Sequence, residues 1–398
     1  MTSRKTATIA ARAGVDTDPP QGAVMPPLYL SSNYSFAGFA QKRRYDYTRS
    51  GNPTRDVLAG ALAELEGGAG GVVTASGMAA ITLLTAQLRP DDLLIAPHDC
   101  YGGCYRLFKA QAERGQYCVD FIDFTDQAAV TAALARKPRI VWIETPSNPL
   151  LRITDIAAVA RLAHAVDATV VVDNTFLSPA LQQPIALGAD LVVHSTTKYL
   201  NGHSDVVGGA VVWKDAALGE QIAWWCNCLG VGGAPFDSYL TLRGLRTLQP
   251  RLRAHQENAD ALVQLLARHP AVEKVYFPGL ASHPGHALAA RQQRGFGAML
   301  SFDLAGGESA VEAFVDGLTC FTLAESLGGV ESLVAHPATM THASMDAAAR
   351  RRAGIGDGLV RVSVGIEASE DLVADFEVAL DLAKADDSTR HAGVGGGR

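Results

Sequence analysis

The chain has 398 residues, 48% of them hydrophobic, and a formal net charge of −7, so it is long enough for two or three packed domains. No stretch gathers the Lys/Arg cluster that nucleic acid or an anionic membrane would require, which argues against both as partners. No apolar run approaches a membrane span, MTSRKTATIAARAG lacks the apolar core of a secretory leader, and the six cysteines contain no CxxC pair. A cytoplasmic enzyme with reduced thiols is the expectation. His283 and His286 stand beside a proline without a second ligand pair, so no metal site is expected.

Residues 1–55 carry turn formers (DTDPPQGAVMPP, RRYDYTRSGNPTR) and little periodicity, and read as an extended arm that packs on something else. Over 56–248 short β-rich runs, LLIAP (93–97), YCVDFIDF (117–124), RIVWIET (139–145), TVVVDN (169–174) and LVVHS (191–195), alternate with helical patterns such as AAITLLTAQL, DQAAVTAALARK and DIAAVARLAHAV. Strands apolar on both faces and separated by helices predict an α/β domain whose mostly parallel sheet is covered on both sides. Residues 243–269, RGLRTLQPRLRAHQENADALVQLLARH, read as one long amphipathic helix. The remainder of 249–398 reads as a smaller α+β domain, with strands at VEKVYFP, AMLSFDL and LVRVSVG, helices at ESAVEAFVDGL and SEDLVADFEVALDLAKA, and a frayed tail, DDSTRHAGVGGGR.

In an open parallel α/β sheet the ligand sits at the carboxyl ends of the strands, so polar residues just past each strand form one set to inspect. Asn148 follows RIVWIETPS, Asp173 and Asn174 end TVVVDN, and Ser195, Thr197 and Lys198 lie at or just past the end of LVVHS. Ser76, Gly77 and Met78 follow GVVTA and open a helix, which directs free N–H groups and the helix dipole at an anion. Lys198 is one of only eight lysines. A lysine near a phosphate cradle, with an aspartate ending a neighbouring buried strand, suggests pyridoxal 5′-phosphate. That cofactor needs an amine to condense with its aldehyde, an acid at its pyridine nitrogen and donors for its phosphate. Tyr101, after LLIAPHDC, is placed to stack on the ring. A dinucleotide fold is disfavoured, because no GxGxxG follows a strand and opens a helix; GGAGG (67–71) precedes a strand instead.

YDYTRSGNPTRD, ALAELEGG, SGMAAI, PHDCYGGCYRLF, ETPSNPLLRITDI, VVDNTFLSPALQQPIALGADLVVHSTTKYLNGHSDVVGG, RGLRTL, FTLAESLGGVESL and LVRVSVGIE occur in this order along the chain. Together they resemble, over nearly its whole length, the cystathionine family of pyridoxal-phosphate enzymes of Cys/Met metabolism. The resemblance implies a fold-type I transferase in which Lys198 holds the cofactor and shuttles protons. It implies phosphate contacts from Ser76, Gly77, Met78, Ser195 and Thr197, a pyridine-nitrogen contact from Asp173, and a stacking ring and candidate base in Tyr101. Tyr47 and Arg49 match positions that reach the phosphate of a neighbouring subunit, which implies at least a dimer and commonly a tetramer of two active dimers. Asn148, Ser326 and Arg361 match the grip on the substrate α-carboxylate, Arg361 as a bidentate fork; Glu325 and Arg106 match the distal end of the substrate.

The implied reaction is γ-replacement in methionine biosynthesis by transsulfuration, O-succinyl-L-homoserine and L-cysteine giving L-cystathionine and succinate. Cystathionine γ-elimination is the alternative. Ser50 stands where some members carry a second arginine after the position of Arg49, which leaves the acyl group, succinyl, acetyl or phospho, open. A cofactor-holding regulator without activity would not require Lys198, Asp173, Tyr101 and Arg361 together.

Overall fold

The structure, a computed structural model, describes residues 4–343, 345 and 347–394. The larger sheet contains β1 (Gly70–Thr74), β2 (Leu93–Pro97), β3 (Cys118–Ile122), β4 (Ile140–Glu144), β5 (Thr169–Asp173), β6 (Leu191–His194) and β7 (Gly209–Trp213), in the order β1-β7-β6-β5-β4-β2-β3. Every position of β2 and β4 is buried, as is every position of β6, which is why these strands read as apolar runs up to their last residues, Glu144 in β4 and His194 in β6. Helices close both faces. One core gathers Val141, Ile143, Val170, Val172 and Val192 with the helix Pro53–Glu66, and the other gathers Leu94, Trp142, Val171 and Val193 with Phe108. The expected strands agree with the observed ones to within two residues at each end. β7 runs antiparallel to both β1 and β6, so the sheet is mostly parallel, as expected, with one reversed strand.

The second sheet contains β8 (Val272–Tyr276), β9 (Met299–Leu304), β10 (Thr322–Leu323), β11 (Leu333–Ala335) and β12 (Leu359–Ser363), in the order β10-β11-β12-β9-β8. Its core is aromatic: Phe302, Phe314 and Phe376 meet edge to face, with centroids 5.2–6.1 Å apart. The short β10 and β11 have no counterpart in the expected strands.

The long helix expected over 243–269 is two helices, Pro235–Leu245 and Leu248–Leu266. The reason is Pro250. It has no N–H, and in a continuous helix its ring would press on the carbonyl of Arg246, so Thr247 (φ −110°, ψ 13°) breaks the path. Of the expected tail, 386–398, residues to Val394 continue the helix Ser369–Val394 and the last four lie outside the described residues. The arm, mostly irregular, carries a short helix, Thr6–Ala11, and is pinned where Asn52 caps the helix Pro53–Glu66 and the buried Arg55 donates to the carbonyls of Thr48, Arg49 and Gly233. No helix among the described residues is long and apolar enough to cross a membrane.

Candidate active site

The carboxyl ends of β1, β4, β5 and β6 open onto one cavity of ≈ 570 Å³, closed on its far side by Glu325, Ser326, Leu327, Met340, Thr341, Ala343 and, from β12, Arg361. Thirteen of the fifteen expected site residues line it: Ser76, Gly77, Met78, Tyr101, Arg106, Asn148, Asp173, Ser195, Thr197, Lys198, Glu325, Ser326 and Arg361.

Ser76 caps the helix Gly77–Thr85 by accepting the Ala79 N–H at 3.0 Å. The N–H groups of Gly77 and Met78 belong to the first turn and have no acceptor within the helix. A Cβ on Gly77 would lie 2.9 Å from Ser195 Cβ, so the close approach of this turn to the end of β6 requires glycine. Thr197 Oγ1 donates to Gly208 O at 3.1 Å and accepts the Gly208 N–H at 3.0 Å. These bonds hold the Thr197 turn against Gly208, and the free donors at the helix N-terminus are the Gly77 and Met78 N–H groups, the chemistry of an anion seat.

Asp173 accepts the Thr175 N–H at 3.0 Å, and no described cation forms a salt bridge with it. Burial raises its pKa, opposed by the bonds from Thr175 and by His194. Its cross-strand neighbour Glu144 is also buried, with a pKa raised by desolvation and then by Asp173. Glu144 Oε2 accepts the Tyr101 N–H at 2.8 Å and Oε1 the Asn148 N–H at 3.0 Å, so one carboxylate fixes the backbone on two sides of the cavity. Tyr101 is partly exposed, and burial, then Cys104 and Glu325, raise its pKa, which favours a phenol over a phenolate.

Lys198 Nζ donates to Ser326 Oγ at 2.7 Å. Its pKa is lowered to about 8, first by burial and then by Arg361, with Glu325 opposing. Arg361, buried at 3% exposure, donates from Nη1 to Asn148 Oδ1 at 3.2 Å and from Nη2 to Ser326 O at 2.8 Å. Burial lowers its pKa to about 10, and its Nε is buried with no hydrogen-bond partner among the described residues. A buried guanidinium with a spare N–H is suited to a carboxylate ligand. Glu325 and Arg106, both exposed, stand at the mouth.

Tyr47 and Arg49 do not line this cavity. Arg49 donates to Asn227 O and Oδ1 at 3.0 and 2.9 Å and lies over the Tyr47 ring at 5.6 Å, with Tyr47 49% exposed. The sequence reading missed Glu144, Thr175 and the 340–343 segment; Glu144 carried a usable signal, an acid closing a fully buried strand. Among the described residues no group of three or more His, Cys, Asp and Glu is arranged to hold a metal ion.

An amine whose burial frees it to react, an unpaired carboxylate one strand away and a donor rim at a helix N-terminus fit the three demands of pyridoxal 5′-phosphate. On this fold they define a pyridoxal-phosphate-dependent enzyme of fold type I. The chain belongs to the Cys/Met metabolism PLP-dependent enzyme family, whose model matches residues 7–381. It is 60% identical to the cystathionine gamma-synthase of Escherichia coli K12, over 94% of this chain and 97% of that one. It is 47% identical to the cystathionine beta-lyase of Coxiella burnetii, over 92% and 96%. The solved cystathionine gamma synthase of Xanthomonas oryzae pv. oryzae, in complex with aminoacrylate and cysteine, superposes with a TM-score of 0.95 at 64% identity, covering 96% of this chain and all of that one.

Proposed function

We propose that the protein catalyses γ-replacement, joining O-succinyl-L-homoserine and L-cysteine into L-cystathionine with release of succinate, in the cytoplasmic synthesis of methionine. Two synthases at 60% and 64% identity, against 47% for the β-lyase, support synthesis over cleavage. The observation that carries the reading is the grouping of Lys198, Ser326, Arg361 and Asn148 beneath a mouth bearing one acid, Glu325, and one base, Arg106.

Bound pyridoxal 5′-phosphate supplies an aldehyde that condenses with amines and a ring that draws electrons from the carbon bearing the substrate amine. Ser76, Gly77, Met78, Ser195 and Thr197 would hold its phosphate, Asp173 its pyridine nitrogen and Tyr101 one face of its ring. With a pKa of about 8, roughly a tenth of Lys198 is unprotonated at pH 7, far more than for a solvated lysine. That amine takes protons from, and returns them to, substrate carbons beside it. Arg361 Nε and the guanidinium edge, with Asn148 and Ser326, orient the substrate α-carboxylate. Arg106 is suited to the distal carboxylate of a succinyl group, and Glu325 to a cationic ammonium on the incoming amino acid.

Tyr47 and Arg49, outside their own chain's cavity, complete the phosphate seat of a neighbouring subunit in this reading, and two such dimers form a tetramer. The deciding experiment compares purified protein supplied with O-succinylhomoserine and cysteine against protein supplied with cystathionine alone. Faster release of cysteine, or of homocysteine, from cystathionine than its synthesis would replace this reading with a lyase.

A further inference from the structure

Beneath the cavity floor, on the face of the sheet turned away from it, a single oxygen joins two strands. Glu66, the last residue of the helix Pro53–Glu66, places Oε1 2.8 Å from Asn174 Nδ2 and 2.6 Å from His194 Nε2. All three side chains are buried, at 1%, 0% and 0% exposure. Asn174 directly follows Asp173 at the end of β5, and His194 directly precedes Ser195 at the end of β6. Side chains alternate along a strand, so the two that face Glu66 are the immediate neighbours of two that face the cavity. The backbone repeats the tie: Asn174 N–H donates to Val193 O at 3.0 Å and Ser195 N–H to Thr175 Oγ1 at 2.9 Å. Asn174 is locked further by donating to Gln182 O at 2.9 Å and accepting from Gln182 Nε2 at 3.1 Å. Glu66 Oε2 and His194 Nδ1 have no hydrogen-bond partner among the described residues, so the contact concentrates on the one oxygen.

We infer that Glu66 is a positioning residue for the cofactor. It fixes the spacing of β5 and β6 where they deliver Asp173 to the pyridine nitrogen and Ser195 to the phosphate. The inference rests on the roles given to those two residues under Proposed function. Burying a carboxylate for mere packing would be costly, since an apolar side chain fills the same volume without desolvation. A clamp needs an acceptor able to take two donors at once. Glutamine offers the same oxygen without the charge, and alanine offers nothing.

The test measures cofactor affinity of the apoprotein by equilibrium dialysis, with the visible circular dichroism of the bound cofactor as a second readout. Glu66→Ala weakens affinity at least tenfold and diminishes the dichroic band, while Glu66→Gln stays within threefold of wild type and keeps the band. Leu58→Ala, a cavity about 12 Å along the same helix from Glu66, lowers Tm and leaves affinity unchanged, which separates position from stability. If Glu66→Ala fails to fold, Asn174→Ala removes one arm and weakens affinity at least threefold. Asp173→Ala is measured in parallel. Weakening by Asp173→Ala but wild-type affinity in the Glu66 and Asn174 variants overturns the clamp alone; wild-type affinity in Asp173→Ala overturns the reading of the site, and the clamp with it. Equal loss in Glu66→Gln and Glu66→Ala also overturns it, because the shared oxygen would then not be what matters.

Discussion

Ser326 accepts the Lys198 ammonium at 2.7 Å while its own backbone sits at φ 87°, a region that non-glycine residues seldom occupy. The conformation costs on the order of 1 kcal/mol and is held by neighbours, among them Arg361, which grips the Ser326 carbonyl. Ser326→Gly relieves that cost, and the greater freedom of glycine in the unfolded chain offsets most of the gain. Stability should therefore stay within about 1 kcal/mol of wild type by urea denaturation. The turnover number should fall at least tenfold, because the hydroxyl that orients the amine is gone. A glycine variant with wild-type turnover would show that the backbone, not the hydroxyl, is what the site uses.

The amine of Lys198 sets a pH dependence for cofactor uptake. Its pKa is depressed to about 8, and only the unprotonated form attacks an aldehyde. The rate at which apoprotein captures pyridoxal 5′-phosphate, followed by visible absorbance, should rise with pH through a midpoint near 8 before it levels off. Glu325 raises this pKa, so Glu325→Gln should move the midpoint to lower pH. A shift to higher pH, or none, would contradict the electrostatic link between the two residues.

Arg361 shares its guanidinium between Asn148 Oδ1 and Ser326 O and keeps Nε uncommitted. A lysine there keeps the charge and loses the fork. Steady-state kinetics of Arg361→Lys should show the KM of the homoserine ester raised at least tenfold, with a smaller change in kcat. Loss confined to kcat would argue for a role in proton transfer instead.

Arg49 and Lys198 act in one pocket only if two chains share it. Arg49→Ala and Lys198→Ala should each be inactive alone. Co-refolded at equal amounts, they should recover at most about a quarter of wild-type activity, the share expected when each mixed dimer rebuilds one intact site across a two-fold interface. Exchange of subunits shown by mass spectrometry, with no activity regained, would mean that the arm serves its own chain.

Most of the larger sheet was legible because its parallel strands are buried on both faces and write themselves as apolar runs. The polar residues ending those runs, Asp173 and Lys198 above all, stand out against them. The direction of β7 is legible in its connection: the segment between β6 and β7, 195–208, has no helical pattern to carry a parallel crossover, and an antiparallel return is what such a connection permits. Pro250 inside an amphipathic stretch was the unused signal for the break before Leu248–Leu266. Glu66 and His194 were hidden for a different reason: they are far apart in sequence, and only the folded sheet brings them together beneath the site. Which chain Tyr47 and Arg49 serve cannot be written in a single sequence, since it depends on a contact between copies.

The reversed strand β7 has one more implication. Because it runs backwards, it brings its first residue, Gly209, and the preceding Gly208 to the cavity rim, where a Cβ on Gly209 would collide with the Ser76 carbonyl and Gly208 is bonded to Thr197 through both of its peptide groups. The gap between the turns that carry Ser76 and Thr197 is thus set by the thickness of a bare main chain. A side-chain substitution cannot widen or narrow it by degrees; it can only break it. The mouth, by contrast, is bordered by side chains, Glu325 and Arg106, on exposed loop and helix positions that can be exchanged without moving that main chain.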